Sequence, residues 1–281
     1  MKKILIVLVV VLSILAVIIN GIESDFKHVI LDSEGNYISE YAWMKSEEWD
    51  SLDVSQSRFS SPNEFLIEVD NCVEEISELI YREEWVDELK TLSQEDFRNK
   101  IEVKFTYDTT SRAFGGGTID SDVYIKPLIK LNRYRMENNI DPLVHELTHI
   151  ISPYTKSFTF SEGVACYIHD LIGSTDIYPN GPEPINQLIS ESYDPKYDYI
   201  IDYLGNTSNG SNTLYTSNKD VRWTYYAYSS SLTHYLVEKY GMGKYMELYI
   251  SDFENETFVE LFGDTRESVL LNWKGTLDIV E

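Results

Sequence analysis

The sequence predicts an α+β fold in which a small sheet precedes a mostly helical C-terminal half. Residues 101–107 alternate apolar and polar side chains, which is the period of a half-buried strand. Between Phe65 and Ile80 the apolar residues recur every three or four positions, which indicates an amphipathic helix. From Asp141 onward helix-start and helix-stop signals follow one another, so most of the second half is predicted to be helical.

The chain is strongly acidic. Lys and Arg total 23 against 47 Asp and Glu in 281 residues, which gives a formal net charge of −24. A surface of this sign repels phosphate, so no nucleic acid partner is expected. The hydrophobic fraction of 43% is sufficient for a core and excludes a disordered acidic tail. The two cysteines, Cys72 and Cys166, exclude a disulfide-dense scaffold and a four-cysteine zinc site.

Residues 1–24 are predicted to be a signal peptide or an N-terminal membrane anchor. Lys2 and Lys3 precede an apolar run over 4–19 that only Ser13 interrupts. No small-x-small cleavage site follows, so an anchor formed by 4–19 is favoured over cleavage. Either interpretation places the rest of the chain outside the cytoplasm, secreted or membrane-anchored.

Residues 25–98 are predicted to form an N-terminal, mostly helical region. The stretch 25–60 has no clear period and is interpreted as an irregular lead-in with a short strand near 27–31. Ser61-Pro62-Asn63 opens the amphipathic helix, and a second helical piece is expected to end near Leu92.

Two strand signals and then a series of helices follow in the rest of the chain. After the strand at 101–107, Gly115-Gly116-Gly117 breaks the chain, and a second strand signal covers 123–129. Residues 174–220 are rich in Pro, Asn, Gly and Ser and are interpreted as an insertion or loop region, with a surface loop at 205–218. Helices are expected over 143–151, from 161 to about 173, from about 222 to 241, and over 243–253 and 265–278.

The strongest chemical signal is His145-Glu146-x-x-His149 inside the first of these helices. Asp141 and Pro142 provide a predicted N-cap and first helical position. Spacing of four puts both imidazoles on one helix face, where they can bind one metal ion, and Glu146 lies beside them. Imidazole and carboxylate donors suit Zn2+, and a catalytic zinc takes three protein ligands and keeps one position open.

Glu162 is the candidate for the third ligand. It lies in Ser161-Glu162-Gly163-x-Ala165, at the predicted start of the next helix, where the helix dipole favours a carboxylate. A helix–loop–helix arrangement can fold this side chain back against the first helix. The predicted metal ligands are therefore His145, His149 and Glu162.

This pair of motifs resembles the gluzincin zinc metallopeptidases and is closest to the peptidase MA-like group. The His-Glu-x-x-His helix followed by a Glu-Gly-x-Ala helix carries the resemblance, which continues into a tyrosine-containing helix at 226–241 and a closing segment from Phe258 to Trp273. It covers roughly 100–281, so 99–281 is predicted to be a gluzincin-like catalytic domain. The insertion at 174–220 departs from the compact members.

The resemblance implies a zincin-like fold and a mechanism. The fold would be a small antiparallel or mixed sheet whose edge strand, expected within 115–129, binds peptide and packs on the active-site helices. Glu146 is the expected general base, taking a proton from a zinc-activated water that attacks a peptide carbonyl. Tyr226 is the expected second donor to the developing oxyanion. The sequence leaves open whether Tyr225, Tyr226 or Tyr228 faces the metal.

The remaining residues receive ordinary interpretations. His169 is expected to be structural rather than a partner of a metal ligand, and the spacing leaves open whether Cys72 and Cys166 form a disulfide. The predicted function is an exported or membrane-anchored zinc metallopeptidase acting on a peptide or protein substrate. A non-enzymatic binding module on the same fold and a zinc hydrolase of a non-peptide amide remain the alternatives; the sequence does not indicate an oligomeric state.

Overall fold

The structure is a computed structural model that describes residues 28–92, 96–108, 110–114, 126–205, 218–251 and 255–277. Its first part contains three strands and three α-helices. These are β1 (Ile30–Leu31), β2 (Asn36–Ile38), β3 (Ala42–Lys45), α1 (Ser46–Asp50), α2 (Pro62–Leu79) and α3 (Glu83–Lys90). The two predicted helices are confirmed, but the irregular lead-in is wrong, because strands and α1 occupy much of 30–50. Successive strands only two to four residues long give too few alternations to show a period in the sequence.

The second part contains three more strands and eight α-helices in the described residues. These are β4 (Ile101–Thr106), β5 (Arg112–Phe114), β6 (Leu128–Asn132), α4 (Arg133–Glu137), α5 (Leu143–Ile151), α6 (Phe158–Ile172), α7 (Ile185–Ser192), α8 (Lys219–Tyr240), α9 (Met242–Tyr249), α10 (Asn255–Phe262) and α11 (Arg266–Lys274). The coarse α+β prediction, with a mostly helical C-terminal half, is confirmed.

All six strands form one mixed sheet with the order β1-β2-β3-β4-β6-β5. The β3–β4 and β4–β6 pairs are parallel, and the other pairs are antiparallel. Strand β5 is the edge at the end of the sheet that contacts α5. The expected edge segment 115–129 is therefore wrong where it is described, because Leu128 and Ile129 belong to β6, which pairs on both sides. Residues 115–125 lie outside the described residues.

The two faces of this sheet differ in character. Val103, Ile129 and Ala113 are register partners across β4, β6 and β5, and they point into the core. Lys104 and Lys130, one residue along their strands, point to the opposite face because side chains alternate along a strand. Helices α2, α5 and α6 pack together behind the inner face, so the sheet supports the layer that carries the histidines.

The regions before and after residue 99 share the sheet and one hydrophobic core. Strand β3 pairs with β4, and α2 packs against α5. Arg58 reaches across to the start of α5, where its Nε lies 3.2 Å from Asp141 Oδ2. The first region thus packs directly against the motif helix and helps to hold it in place. The predicted division into 25–98 and 99–281 stays a prediction.

The insertion at 174–220 is more ordered than a loop. It contains α7 and a 3-10 helix over Pro195–Tyr203. Ile189 of α7 and Ile200 of the 3-10 helix are buried in the core. The interpretation as loop is wrong for this part, because isolated buried residues in a polar stretch give little periodic signal. The predicted surface loop at 205–218 falls almost wholly outside the described residues, as does the whole of the predicted leader at 1–24. Within the described ranges no helix has the length and hydropathy to cross a membrane.

Candidate metal centre

Helix α5 places the two histidines of the motif on one face. The opposite positions Leu143, Leu147 and Ile151 are fully buried, which fixes the rotation of the helix about its axis. Pro142 occupies the position before the helix, so the predicted cap is displaced by one residue, yet Asp141 Oδ1 still accepts a hydrogen bond from the Leu143 amide at 3.3 Å.

Helix α6 supplies Glu162, and it begins at Phe158 rather than at 161. Glu162 therefore lies in the second turn, so the predicted stabilisation by the helix N-terminus does not apply at full strength. Gly163 faces α8: a Cβ at this position would lie 2.2 Å from Thr233 Oγ1 and 2.8 Å from the carbonyl oxygen of Ser229. The glycine of Glu-Gly-x-Ala thus allows α6 and α8 to approach closely beside Glu162.

The three candidate ligand atoms form a nearly equilateral triangle. His145 Nε2 and His149 Nε2 are 3.2 Å apart, and Glu162 Oε2 lies 3.3 Å from the first and 3.4 Å from the second. In a tetrahedral zinc site with bonds of about 2.0–2.1 Å, ligand atoms lie about 3.3–3.4 Å from one another. The donor set and its spacing therefore fit a metal ion.

The site is mostly shielded from solvent. The side chains of His145, His149 and Glu162 are exposed by 11%, 17% and 8%. Glu162 Oε2 is buried and, among the described residues, no hydrogen-bond donor meets it in good geometry. A buried carboxylate oxygen facing two imidazole nitrogens is stabilised by a bound cation. His145, His149 and Glu162 thus form a cluster of side chains that could hold a metal ion, here called the metal cluster.

The far nitrogens of both imidazoles have polar neighbours. Ser161 Oγ lies 3.3 Å from His149 Nδ1, and Cys166 Sγ lies 4.0 Å from His145 Nδ1. Placing the ring proton on Nδ1 leaves Nε2 with a lone pair for a metal. A polar neighbour at the other ring nitrogen is usual for a histidine that binds a metal. Cys166 therefore lies behind His145 and not among the ligand atoms.

Burial and pairing set the protonation of the ligands. Burial lowers the pKa of His145 to about 4, so this ring is neutral near pH 7. Burial also opposes the charged form of His149, but the Glu162 carboxylate outweighs it and raises the pKa of His149. For Glu162 burial is outweighed by the two histidines, which hold its pKa well below its usual range. The site thus offers a neutral imidazole and an ionised carboxylate before a metal binds.

Glu146 follows His145 directly and is 7% exposed. Burial raises the pKa of its carboxyl to about 7, although nearby His149 acts in the opposite direction. A carboxyl group with a pKa near neutrality can exchange a proton with water at physiological pH, as a general base must. A cation at the adjacent cluster would favour its ionised form.

Helix α8 resolves the orientation of the three tyrosines. The ring of Tyr226 lies 6.4 Å from the ring of His145, centroid to centroid, and is partly exposed. Tyr225 is fully buried, and its hydroxyl lies 2.7 Å from Thr159 Oγ1. Tyr228 packs against Trp273 at 5.8 Å. Tyr226 is the member of the three that the structure brings to the metal cluster.

The other candidate groups have structural partners. Cys72 and Cys166 are both buried and free, so the open question of a disulfide is resolved in favour of two thiols. His169 Nε2 lies 2.7 Å from the backbone oxygen of Thr175, which matches the structural role expected for it.

Trp223 also contacts Tyr226, at 6.1 Å between ring centroids, and sequence reasoning missed it. Its spacing of three from Tyr226 on a predicted helix was the available signal.

Comparison of the chain with protein-family models, with curated proteins and with solved structures gave no match. The residues and geometry of the cluster itself are therefore the basis for a proposed function.

Proposed function

We propose that this protein is an exported or membrane-anchored zinc-dependent metallopeptidase that hydrolyses peptide bonds. The observation that carries the proposal is the triangle of His145 Nε2, His149 Nε2 and Glu162 Oε2, with edges of 3.2–3.4 Å. The helix that supplies both histidines also carries the buried Glu146. The gluzincin resemblance of the two motifs, and with it a zincin-like version of the observed α+β fold, belongs to the same proposal.

Zinc is the ion that best suits this donor set. Two imidazoles and one carboxylate are a common catalytic zinc set, whereas calcium and magnesium prefer oxygen ligands only. A zinc ion held by these residues would act as a Lewis acid and lower the pKa of water toward about 7. The protein holds the ligands in place: Ser161 and Cys166 lie against the far nitrogens of His149 and His145.

Glu146 acts as the general base in this proposal. Its carboxylate accepts the proton of the attacking water and later delivers it to the leaving amine. Burial keeps the pKa of Glu146 close to the working range, so both transfers are accessible near neutral pH. The tyrosine beside His145, Tyr226, donates a hydrogen bond to the oxyanion that develops on the substrate carbonyl.

Strand β5 offers a place for the peptide. It is the edge of the sheet next to α5, so its outer hydrogen-bonding groups can add an extended segment by strand addition. A substrate bound there runs beside the motif helix. The proposed substrate is a peptide or protein outside the cytoplasm, since the N-terminal segment predicts export or anchoring.

The test is the metal content and hydrolytic activity of the full-length chain, purified in mild detergent. We expect one zinc per chain by elemental analysis, and cleavage of an unstructured protein such as casein. Glu162→Gln should lose the zinc, because an amide oxygen does not replace the charge of the carboxylate. Glu146→Gln should keep the zinc and lose hydrolysis by at least about 100-fold, since general-base catalysis contributes about 10²–10⁴-fold.

Glu260→Gln is the matched control, since Glu260 is an exposed carboxylate on α10, and both properties should remain unchanged. A folded, zinc-supplemented wild type that holds no zinc would overturn the peptidase assignment in favour of the binding-module alternative. Full hydrolysis by Glu146→Gln would remove that residue as the base. Zinc without cleavage of any peptide would point instead to a non-peptide amide.

A further inference from the structure

One face of the first two turns of α8 leads from the surface to the metal cluster. Lys219, Arg222, Trp223 and Tyr226 follow one another at spacings of three, one and three, which places them along one side of a helix. Tyr226 is the inner end of this series, with its ring 6.4 Å from that of His145. Lys219, exposed at the helix start, is the outer end.

Three aromatic rings form a continuous row along this face. Trp223 lies 6.1 Å from Tyr226, and Tyr178 lies 4.9 Å from Trp223, centroid to centroid. Tyr178 is 42% exposed, and Trp223 and Tyr226 are partly exposed. Their neighbours Tyr225 and Tyr228 on the other side of α8 are buried in the core. The row therefore keeps aromatic surface accessible beside the metal cluster instead of using it for packing.

Two cations accompany the outer part of the row. The guanidinium carbon of Arg222 lies 5.7 Å from the centre of the Trp223 ring, and Lys219 Nζ lies 5.9 Å from it. Within the described ranges neither cation forms a salt bridge, although the chain has 47 acidic and 23 basic residues. A pair of cations that forms no salt bridge with the described carboxylates, in a protein of this charge, is complementary to an acidic ligand.

We propose that Tyr178, Trp223 and Tyr226, with Lys219 and Arg222, form a specificity surface, here called the aromatic wall. It selects peptides that carry an aromatic or large apolar side chain close to the scissile bond and an acidic residue further along. This inference rests on the proposed peptidase function and names its substrate class.

The dimensions and energies of the wall agree with such a ligand. Ring-to-ring steps of 6.4 and 6.1 Å bring Trp223 within reach of about three to four extended residues from the metal cluster, at about 3.3 Å per residue. Ring-on-ring contact is favourable beyond the gain from burial of apolar area. The cations then meet a side chain about two residues beyond the aromatic one.

The experiment measures peptide binding to the zinc-loaded, full-length Glu146→Gln variant by isothermal titration calorimetry, so that binding is separated from turnover. Four peptides differ at two positions only, with Phe or Ala three residues from the scissile bond and Glu or Lys two residues further. We expect the Phe–Glu peptide to bind at least about 10-fold more tightly than the Ala–Glu peptide, the scale of discrimination that an apolar pocket provides. It should also bind more tightly than the Phe–Lys peptide, because the two cations attract Glu and repel Lys.

Variants in the same background assign the preferences to the wall. Trp223→Ala should reduce the Phe-over-Ala preference below about 3-fold, and Trp223→Leu, which keeps apolar bulk, should retain part of it. The double variant Lys219→Glu/Arg222→Glu should reverse the Glu-over-Lys preference. Lys239→Glu is the matched control, because Lys239 lies at the far end of the same helix over Tyr235 and Tyr240, and it should change neither preference.

The outcomes separate this inference from the proposed function. Equal binding of all four peptides, with zinc bound and casein cleaved by the wild type, would overturn the aromatic wall and leave the peptidase intact. The predicted preferences without hydrolysis by the wild type would support the wall and overturn the peptidase. If Trp223→Ala loses zinc, Trp223→Leu and the double charge variant decide the question. Preferences that survive both of these variants would overturn the wall.

Discussion

The first two turns and the middle of α8 differ in the size and exposure of their side chains. From Lys219 to Tyr226 the side facing His145 carries long cationic and aromatic side chains that remain partly exposed. From Ala227 to Thr233 the side chains are small, apart from Tyr228 and Leu232, and all are buried, and Ser229 and Thr233 lie against Gly163 of α6. Small residues let two backbones approach, whereas large ones extend away from the helix.

Under the proposed function, this difference separates the residues that would hold the metal from those that would contact the substrate. Close approach of α8 to Gly163 fixes the position of the adjacent Glu162, while the first two turns extend past the cluster and present ring surface. Stability and metal content should therefore respond to changes in the middle of α8, and activity should respond to changes at its beginning.

The largest effect is expected at the beginning of the helix. Tyr226→Phe should lower kcat by about 100-fold with zinc content unchanged, because loss of one oxyanion donor costs about 10²–10³ in kcat. The measurement is steady-state hydrolysis of a fluorogenic peptide. Tyr225→Phe, one residue earlier, removes the hydroxyl that meets Thr159 and should lower stability by about 1 kcal/mol with kcat unchanged. Equal loss of kcat in both variants would contradict the orientation assigned to Tyr226.

The next effect concerns the middle of the helix. Gly163→Ala places a methyl group 2.2 Å from Thr233 Oγ1 and 2.8 Å from a backbone oxygen that has little freedom to move. We expect a destabilisation of about 2 kcal/mol, within the 1–3 kcal/mol typical of overpacking, and a lower zinc affinity because Glu162 is displaced. Thermal unfolding of the metal-free protein and a zinc titration measure the two effects.

Gly181→Ala is the control for that substitution, since a Cβ there would have no neighbour within 4 Å. Its midpoint of unfolding should stay close to that of the wild type. Combining Gly163→Ala with Thr233→Ala removes the closest obstruction and should restore part of the stability. An unchanged zinc affinity in Gly163→Ala would show that Glu162 does not depend on this approach of α6 and α8.

The smallest effect extends the comparison to the side of α6 that faces His145. Cys166→Ala removes the group 4.0 Å from His145 Nδ1 and should weaken zinc binding by about 10-fold, the lower end of the range for outer contacts of metal ligands. Cys72→Ala is matched in chemistry and burial but lies on α2, so it should lower stability without changing zinc affinity. Competition with a fluorescent chelator gives both affinities, and equal values would assign Cys166 to packing alone.

Local periodicity predicted the main helices and strand β4, but it did not predict the other short strands or the pairing within the sheet. Helices α2, α5 and α8 follow from apolar spacing and capping signals, and their predicted limits differ by up to three residues. Strands β1, β2 and β3 are two to four residues long, so their pairing depends on partners far along the chain. The edge strand was misplaced for the same reason, because neighbours within a sheet are chosen by tertiary packing.

The sequence by itself determined the ligand chemistry. Four-residue spacing on a helix brings His145 and His149 together whatever surrounds them, since the distance is fixed by one turn. Only the tertiary structure decided that Glu162 Oε2 completes the triangle at 3.3 and 3.4 Å, that Cys166 lies behind His145, and that Tyr226 rather than Tyr225 faces the cluster. These contacts join different helices, and their geometry depends on close packing, which no local pattern of residues encodes.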